Sequence, residues 1–168
     1  MKQFISYLSR LIGGLSNFGG ALSQVVAFLM MLLITVDVIG RYAFSRPTYV
    51  ADELSGYFLV AITFLALGQT QRLGKHLRVD ILFSRLPKKK GAWLTLFTSI
   101  LSLVFLIWFT WSTAVSAMQT YDMGTRKQTI LATPYWIPEL LLPVGLCIFS
   151  LQMIVSIVQQ ARSLRTIA

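Results

Sequence analysis

The chain has 168 residues, of which 55% are hydrophobic and 12% are charged, and its mean hydropathy is +0.69. Soluble domains carry roughly 25% charged residues, so this composition excludes an ordinary soluble domain. The net charge of +9 does not indicate nucleic-acid binding, because the basic residues stand at the ends of apolar segments, where they set membrane orientation.

Four uncharged runs are long enough to cross a bilayer as helices, since a span needs about 20 apolar residues. They are Leu11–Val36, Leu54–Gln71, Gly91–Tyr121 and Leu140–Ala161. We therefore expect an all-α integral membrane protein with a single domain of four transmembrane helices. The spans are predicted at about 16–40, 52–73, 91–118 and 136–160.

The segment before the first span has apolar residues at helical spacing, with Lys2 and Arg10 among them. This pattern favours a short amphipathic helix along the membrane surface, although a longer start to the first span is an equally good interpretation. The span is too long for a signal peptide, and residues 36–44 contain no small-x-small cleavage site. We expect it to be retained.

Acidic residues border the connection between the first two spans. Asp37 lies one turn before the end of the first span, and Arg41, at i+4, is an obvious structural partner. Pro47 lies in a short loop, which indicates a tight hairpin. Asp52 and Glu53 begin the second span, where the positive end of the helix dipole favours carboxylates.

The loop between the second and third spans predicts a second short amphipathic helix. Apolar residues fall at i, i+3, i+4 and i+7 from Val79, Asp80 is a candidate cap, and Pro87 ends the pattern before three lysines. An irregular basic loop is the alternative.

Small and hydroxyl residues form stripes on two spans. Thr95, Thr98, Ser99 and Ser102 share a face of the third span, and Gly56, Thr63 and Thr70 share a face of the second. Such stripes favour helix packing over a permeation path.

The distribution of basic residues predicts the orientation. Of the 15 lysines and arginines, only Arg41, Arg46, Arg126 and Lys127 lie on one side of the predicted spans. The positive-inside rule therefore places both termini and the middle loop in the cytoplasm.

Catalytic constellations are missing from the sequence. The single histidine, His76, lies in the middle loop, which excludes bis-histidine haem ligation within the spans. The lone Cys147 excludes a pair for disulfide exchange. The segment from Gly68 to His76 has the wrong spacing for a phosphate-binding loop. We expect no enzyme activity, cofactor or metal.

Two hypotheses remain from the residues alone. Each acidic residue of the spans lies at a span end, whereas a helical protein that moves ions by itself usually keeps a carboxylate deep in the membrane. This favours a scaffold or partner subunit. The alternative is an autonomous small four-helix transporter that acts as a homodimer.

An ordered set of residues between 37 and 90 resembles the small membrane subunit (DctQ family) of tripartite ATP-independent periplasmic (TRAP) transporters. The set comprises Arg41, Tyr42, Pro47, Asp52, Glu53, Leu54, Gly68, His76, Asp80, Leu86 and Pro87. Tyr49 departs from the family pattern, which often has tryptophan at that position, and preserves an interfacial aromatic ring.

The resemblance implies a bacterial inner-membrane subunit of an importer of organic acids, driven by an ion gradient that is usually sodium. In such systems a large membrane subunit (DctM type) carries the transport site in an elevator-type mover, and a periplasmic binding protein captures the substrate. The small subunit is similar to a fixed scaffold for the large one, surrounded by membrane lipids.

The resemblance also implies roles for seven residues as partner contacts or structural groups. Asp37 and Arg41 would fix the outer end of the first span. Arg46, Asp52 and Glu53 would face the periplasm near the partner proteins. His76 and Asp80 would hold the middle-loop segment in place.

Overall fold

The structure, a computed structural model, describes residues 2–45, 50–74, 88–126, 128 and 131–167. These residues form four helices: α1 (Lys2–Phe44), α2 (Val50–Arg72), α3 (Lys88–Asp122) and α4 (Trp136–Ile167). All four are long and apolar enough to cross a membrane. Within the described ranges the only β pairing is an isolated bridge between Arg126 and Pro134. The prediction of an all-α protein with four spans is confirmed.

α1 is one uninterrupted helix of 43 residues. At 1.5 Å per residue its length is about 65 Å, roughly twice the thickness of the hydrocarbon core. The predicted N-terminal amphipathic segment is therefore continuous with the first span rather than a separate helix. Its position along a membrane surface stays a prediction. The predicted helix of the middle loop lies outside the described residues.

The four helices are covered to very different extents. α2 and α4 pack together at the centre, α1 packs on α2 and over a shorter length on α4, and α3 packs on α4. In the most apolar window of α1 and of α3, 11% of the residues are buried, against 39% in α4. The outer helices thus leave most of their surface free of contacts within the chain.

Small residues allow the central helices to approach closely. A Cβ atom added at Gly145 on α4 would lie 2.5 Å from the carbonyl oxygen of Phe64 on α2. One added at Gly19 on α1 would lie 2.8 Å from the carbonyl oxygen of Leu65 on α2. Contacts this close between backbones are available only to glycine, as in many membrane helix pairs.

The two ends of the helices carry opposite charge. We call the end where α1 and α3 finish and α2 and α4 begin the acidic end. It carries five of the six acidic residues of the sequence: Asp37, Asp52, Glu53, Asp122 and Glu139. At the opposite end, the basic end, lie Arg10, Arg72, Lys90 and Arg162.

Candidate functional site at the acidic end

Asp37 and Arg41 form an ion pair where α1 approaches α2. The Arg41 Nη2 atom lies 2.8 Å from Asp37 Oδ2 and 4.0 Å from Asp52 Oδ1 at the start of α2. The Asp37 side chain is buried, with 8% of its surface exposed, whereas that of Asp52 is 81% exposed. Arg41 therefore joins a buried carboxylate to an exposed one and links the first two helices.

Glu53 forms the second polar contact of this end. It lies in the first turn of α2 and is 4% exposed, and the Tyr57 hydroxyl donates a hydrogen bond to its Oε1. The side chain of Thr133, from the α3–α4 connection, also bonds with the Tyr57 hydroxyl. Since a buried carboxylate is stable only with hydrogen-bond donors, Tyr57 holds Glu53 in place and couples α2 to that connection.

The connection between α3 and α4 is held by backbone contacts. Gly124, with a φ of 58°, follows the end of α3, and its N–H donates to the carbonyl of Tyr121. Further along, the Tyr135 N–H donates to the carbonyl oxygen of Thr125 at 3.2 Å. These contacts bring the start of α4 beside the end of α3.

Glu139 has a different environment in the first turn of α4. Its Oε2 atom is buried, and no described residue provides a hydrogen bond to it. Pro143, four residues later, has no N–H group and cannot pair with the backbone carbonyl of Glu139. Two oxygen acceptors of the same residue thus lack their usual partners within the described part of the chain.

The basic half of the bundle is joined by hydrogen bonds and polar contacts without an ion pair among the described residues. The Ser16 hydroxyl on α1 lies 3.3 Å from Gln152 Oε1 on α4, and Gln71 Nε2 on α2 lies 3.2 Å from Met153 Sδ on α4. Arg72 donates a 2.7 Å hydrogen bond to the carbonyl of Gly13 on α1. These contacts fasten α1, α2 and α4 together and offer no ligand-binding arrangement.

Four of the seven predicted site residues thus come together at the acidic end: Asp37, Arg41, Asp52 and Glu53. Arg46, His76 and Asp80 lie outside the described residues, and their roles stay predictions. No group of three or more His, Cys, Asp or Glu side chains suited to a metal occurs among the described residues.

The predicted hydroxyl stripes contribute little to packing within the chain. Ser99 is buried and lies 3.2 Å from Gln160 on α4, but Thr98 and Ser102 of the same stripe are exposed. On α2, Thr63 is exposed and a Cβ atom at Gly56 would meet nothing within 4 Å. These positions lie on the outer surface of the four helices.

Sequence reasoning missed Tyr57 and Thr133. The spacing of four residues between Glu53 and Tyr57 places both on one helix face, so the pair was accessible from the sequence. The contact from Thr133 spans about 80 residues of chain, and no local pattern indicates it.

Comparison with known proteins gives consistent matches. Residues 30–163 match the family model described as the DctQ component of tripartite ATP-independent periplasmic transporters. The chain is 23% identical over 166 residues to the ectoine TRAP transporter small permease protein TeaB of Halomonas elongata, covering 96% of this chain and 86% of that protein. It is 28% identical over 76 residues to a Haemophilus influenzae protein provisionally named a TRAP transporter small permease protein, covering 45% and 47% of the two chains.

Proposed function

The chain belongs to the DctQ family of tripartite ATP-independent periplasmic transporters, and we propose that this small permease subunit is a non-catalytic scaffold for a larger transporting subunit. The large subunit would carry the substrate and ion sites and move against the fixed scaffold. Uptake would be driven by an ion gradient, with sodium as the expected coupling ion.

The observation that carries this proposal is the exposure of α1 and α3. In the most apolar segment of each helix, only 11% of the residues are buried within the chain. Each helix is also longer than a membrane span requires. A self-contained bundle covers its helices more evenly, as α4 is covered here. Two long helices flanking a packed α2–α4 pair offer the broad apolar surface that a larger membrane subunit requires for stable association.

The distribution of charged residues along the spans favours a scaffold over a subunit that transports ions itself. Between Arg10 and Asp37 on α1, and between Lys90 and Asp122 on α3, the sequence has no charged residue. Asp37 and Glu53 are buried, but both lie within a turn or two of a helix end and both have partners. A permeating ion would find no carboxylate at mid-span in this chain.

We propose that the acidic end faces the periplasm and helps to dock the substrate-binding protein. The positive-inside rule supports a cytoplasmic basic end. On this proposal both termini are cytoplasmic, and the family membership supports a location in the bacterial inner membrane. Asp52 is 81% exposed at this end and already contacts Arg41. Its carboxylate is available to a basic patch on a soluble partner.

The substrate class follows from the family rather than from any site in this chain. The TRAP systems that this chain resembles import organic acids, and one relative is named as a subunit of an ectoine transporter. A substrate screen should therefore include carboxylates and ectoine together, with binding measured on the periplasmic protein rather than on this chain.

The scaffold proposal is tested by affinity purification of the tagged chain from its native membranes in a mild detergent. We expect a larger multi-span protein in near-equal amount, identified by mass spectrometry. A photo-crosslinking residue at Phe97 or Trp108, both exposed on α3, should capture that partner. The same residue at buried Leu146 is the matched control and should not. Recovery of the chain only with itself would contradict the proposal.

Docking at the acidic end has its own test. Asp52→Asn removes an exposed charge, keeps the size of the side chain and leaves the 2.8 Å Arg41–Asp37 pair in place, so the complex should assemble normally. If this end meets the binding protein, uptake should fall and the affinity for that protein should become less sensitive to salt. Unchanged uptake and binding would exclude Asp52 from the docking surface.

A further inference from the structure

A cleft between α3 and α4 at the acidic end has features that the scaffold role does not use. Its volume is about 340 Å³, and it is lined by Ala117, Met118, Tyr121, Asp122, Trp136 and Leu140. The polar atoms lie at its mouth, where α3 ends and α4 begins. Ala117, Met118 and Leu140 lie about one turn deeper and are apolar. The cleft therefore changes from charged to apolar over one helical turn.

The mouth of the cleft attracts a cation. Asp122 is the last residue of α3, where the negative end of the helix dipole disfavours a carboxylate, and the last turn contains no basic residue to offset it. Within the described part of the chain, no ion pair or hydrogen bond of the Asp122 side chain is found. Asp122 is thus the charged residue of the cleft lining.

Aromatic rings complete the arrangement beside this carboxylate. Tyr121 and Trp136 meet edge to face, with ring centroids 5.5 Å apart and an interplanar angle of 84°. An ammonium group over the face of a tryptophan or tyrosine ring is stabilised by the ring quadrupole. A carboxylate and two rings around one mouth are the chemistry that recognises an organic ammonium group.

A basic residue follows in the connection between α3 and α4. Arg126 follows Asp122 by four residues, its backbone pairs with Pro134, and its side chain is exposed. Arg126 stands outside the cleft lining, which consists of one carboxylate, two aromatic rings and an apolar floor. This lining complements an ammonium head group attached to a hydrocarbon chain.

We propose that this cleft binds the head group of an aminophospholipid, phosphatidylethanolamine being the probe. The ammonium group would lie beside Asp122 and against the rings of Tyr121 and Trp136, with the phosphate on the aqueous side. The first part of an acyl chain would follow Met118 along the exposed flank of α3, where Met118 is 67% exposed. The lipid would fill the cleft and attach α3 to α4 at this end.

The test uses the full chain purified with whichever subunits accompany it, delipidated and then supplied with one lipid at a time. Native mass spectrometry counts retained phosphatidylethanolamine and retained phosphatidylglycerol, which has the phosphate without the ammonium group. We expect preferential retention of phosphatidylethanolamine. Asp122→Asn should reduce that retention about tenfold and leave phosphatidylglycerol unchanged, because only the ammonium contact is lost.

Matched variants separate this cleft from general effects of charge and aromatic surface. Asp52→Asn removes an exposed carboxylate elsewhere on the acidic end, and Trp111→Ala removes an exposed ring elsewhere on α3. Neither should alter the preference for phosphatidylethanolamine, whereas Trp136→Ala should reduce it. Equal retention in wild type and Asp122→Asn, or equal loss in the control variants, would overturn the proposal.

A carbodiimide reaction distinguishes a lipid from a protein partner, since it couples a carboxylate to an adjacent primary amine. Treatment in native membranes should form an amide that adds the mass of one phosphatidylethanolamine less one water to the peptide that contains Asp122, the carbodiimide leaving as the urea. Coupling of that peptide to a lysine of another subunit instead would show that the cleft receives a protein side chain, and would overturn the lipid assignment.

Discussion

The two ends of this small bundle are held together by different chemistry. In the basic half, glycines and serines let α1, α2 and α4 approach closely, and neutral contacts such as Ser16 with Gln152 join them. At the acidic end, charged side chains do the joining: Arg41 links Asp37 to Asp52, and Tyr57 holds Glu53.

The difference bears on function. In the basic half, the close contacts among α1, α2 and α4 are made between residues of this chain. At the acidic end, by contrast, Asp52 and Arg41 stay partly open to solvent while holding their partners. A closely packed basic half with an accessible charged rim is the division expected of a scaffold that is fixed in the membrane and contacted from outside.

The largest effect is expected from filling a close approach in the packed centre. Gly145→Ala would place a methyl group 2.5 Å from the Phe64 carbonyl oxygen, so α2 and α4 must separate. We expect a loss of about 2–3 kcal/mol in unfolding free energy, measured by titration in mixed SDS micelles. Gly14→Ala is the control, because its added methyl group meets nothing within 4 Å. Equal effects of the two substitutions would contradict the packing account.

A smaller loss is expected at the buried carboxylate of the acidic end. Tyr57→Phe removes the hydroxyl that donates to Glu53. The free energy of unfolding should fall by about 1.5–2 kcal/mol, the lower part of the range for a hydrogen bond to a charged group. Adding Glu53→Gln to Tyr57→Phe should cost less than the sum of the two single changes. Strict additivity would show that the two side chains act independently.

The Asp37–Arg41 pair tests whether the rim is structural. Arg41→Gln leaves the buried Asp37 carboxylate without its guanidinium partner and should lower the thermal unfolding temperature. Exchanging the charges, with Arg at 37 and Asp at 41, should restore part of that loss, because the spacing of four residues is kept. If the exchanged protein is no better than the single variant, the interaction depends on more than this pair.

The smallest effect is expected from a single neutral contact in the basic half. Ser16→Ala removes a hydroxyl that also contacts the Ile12 carbonyl at 2.9 Å, so the contact to Gln152 contributes only part of its effect. Interhelical hydrogen bonds in membranes average about 0.6 kcal/mol. A double-mutant cycle with Gln152→Leu should give a coupling of that order. A Ser16–Gln152 coupling energy as large as the effect of Gly145→Ala would show that hydrogen bonds, rather than close steric packing, dominate the stability of the bundle.

Hydropathy alone predicted the four helices, because a long uncharged run has few alternatives to a membrane helix. The pair Asp37–Arg41 was accessible for a similar reason, since residues four apart share a helix face. Family membership followed from an ordered set of residues, and the family match confirms it.

Relations between helices were not accessible in the same way. No local pattern indicates that Gly145 approaches Phe64 or that Thr133 approaches Tyr57, because these contacts depend on how separate helices are rotated and shifted. The stripe of Gly56 and Thr63 shows the limit most clearly. Small residues indicate close packing, but the structure leaves both positions exposed.

The scaffold account is tested most directly by reconstitution in proteoliposomes with an imposed sodium gradient. This chain alone, its large partner alone, and both together are each assayed with the substrate-loaded binding protein outside. We expect substrate uptake only when both membrane subunits are present, and none from this chain alone. Gradient-driven uptake by this chain alone would contradict the account and establish it as an autonomous transporter.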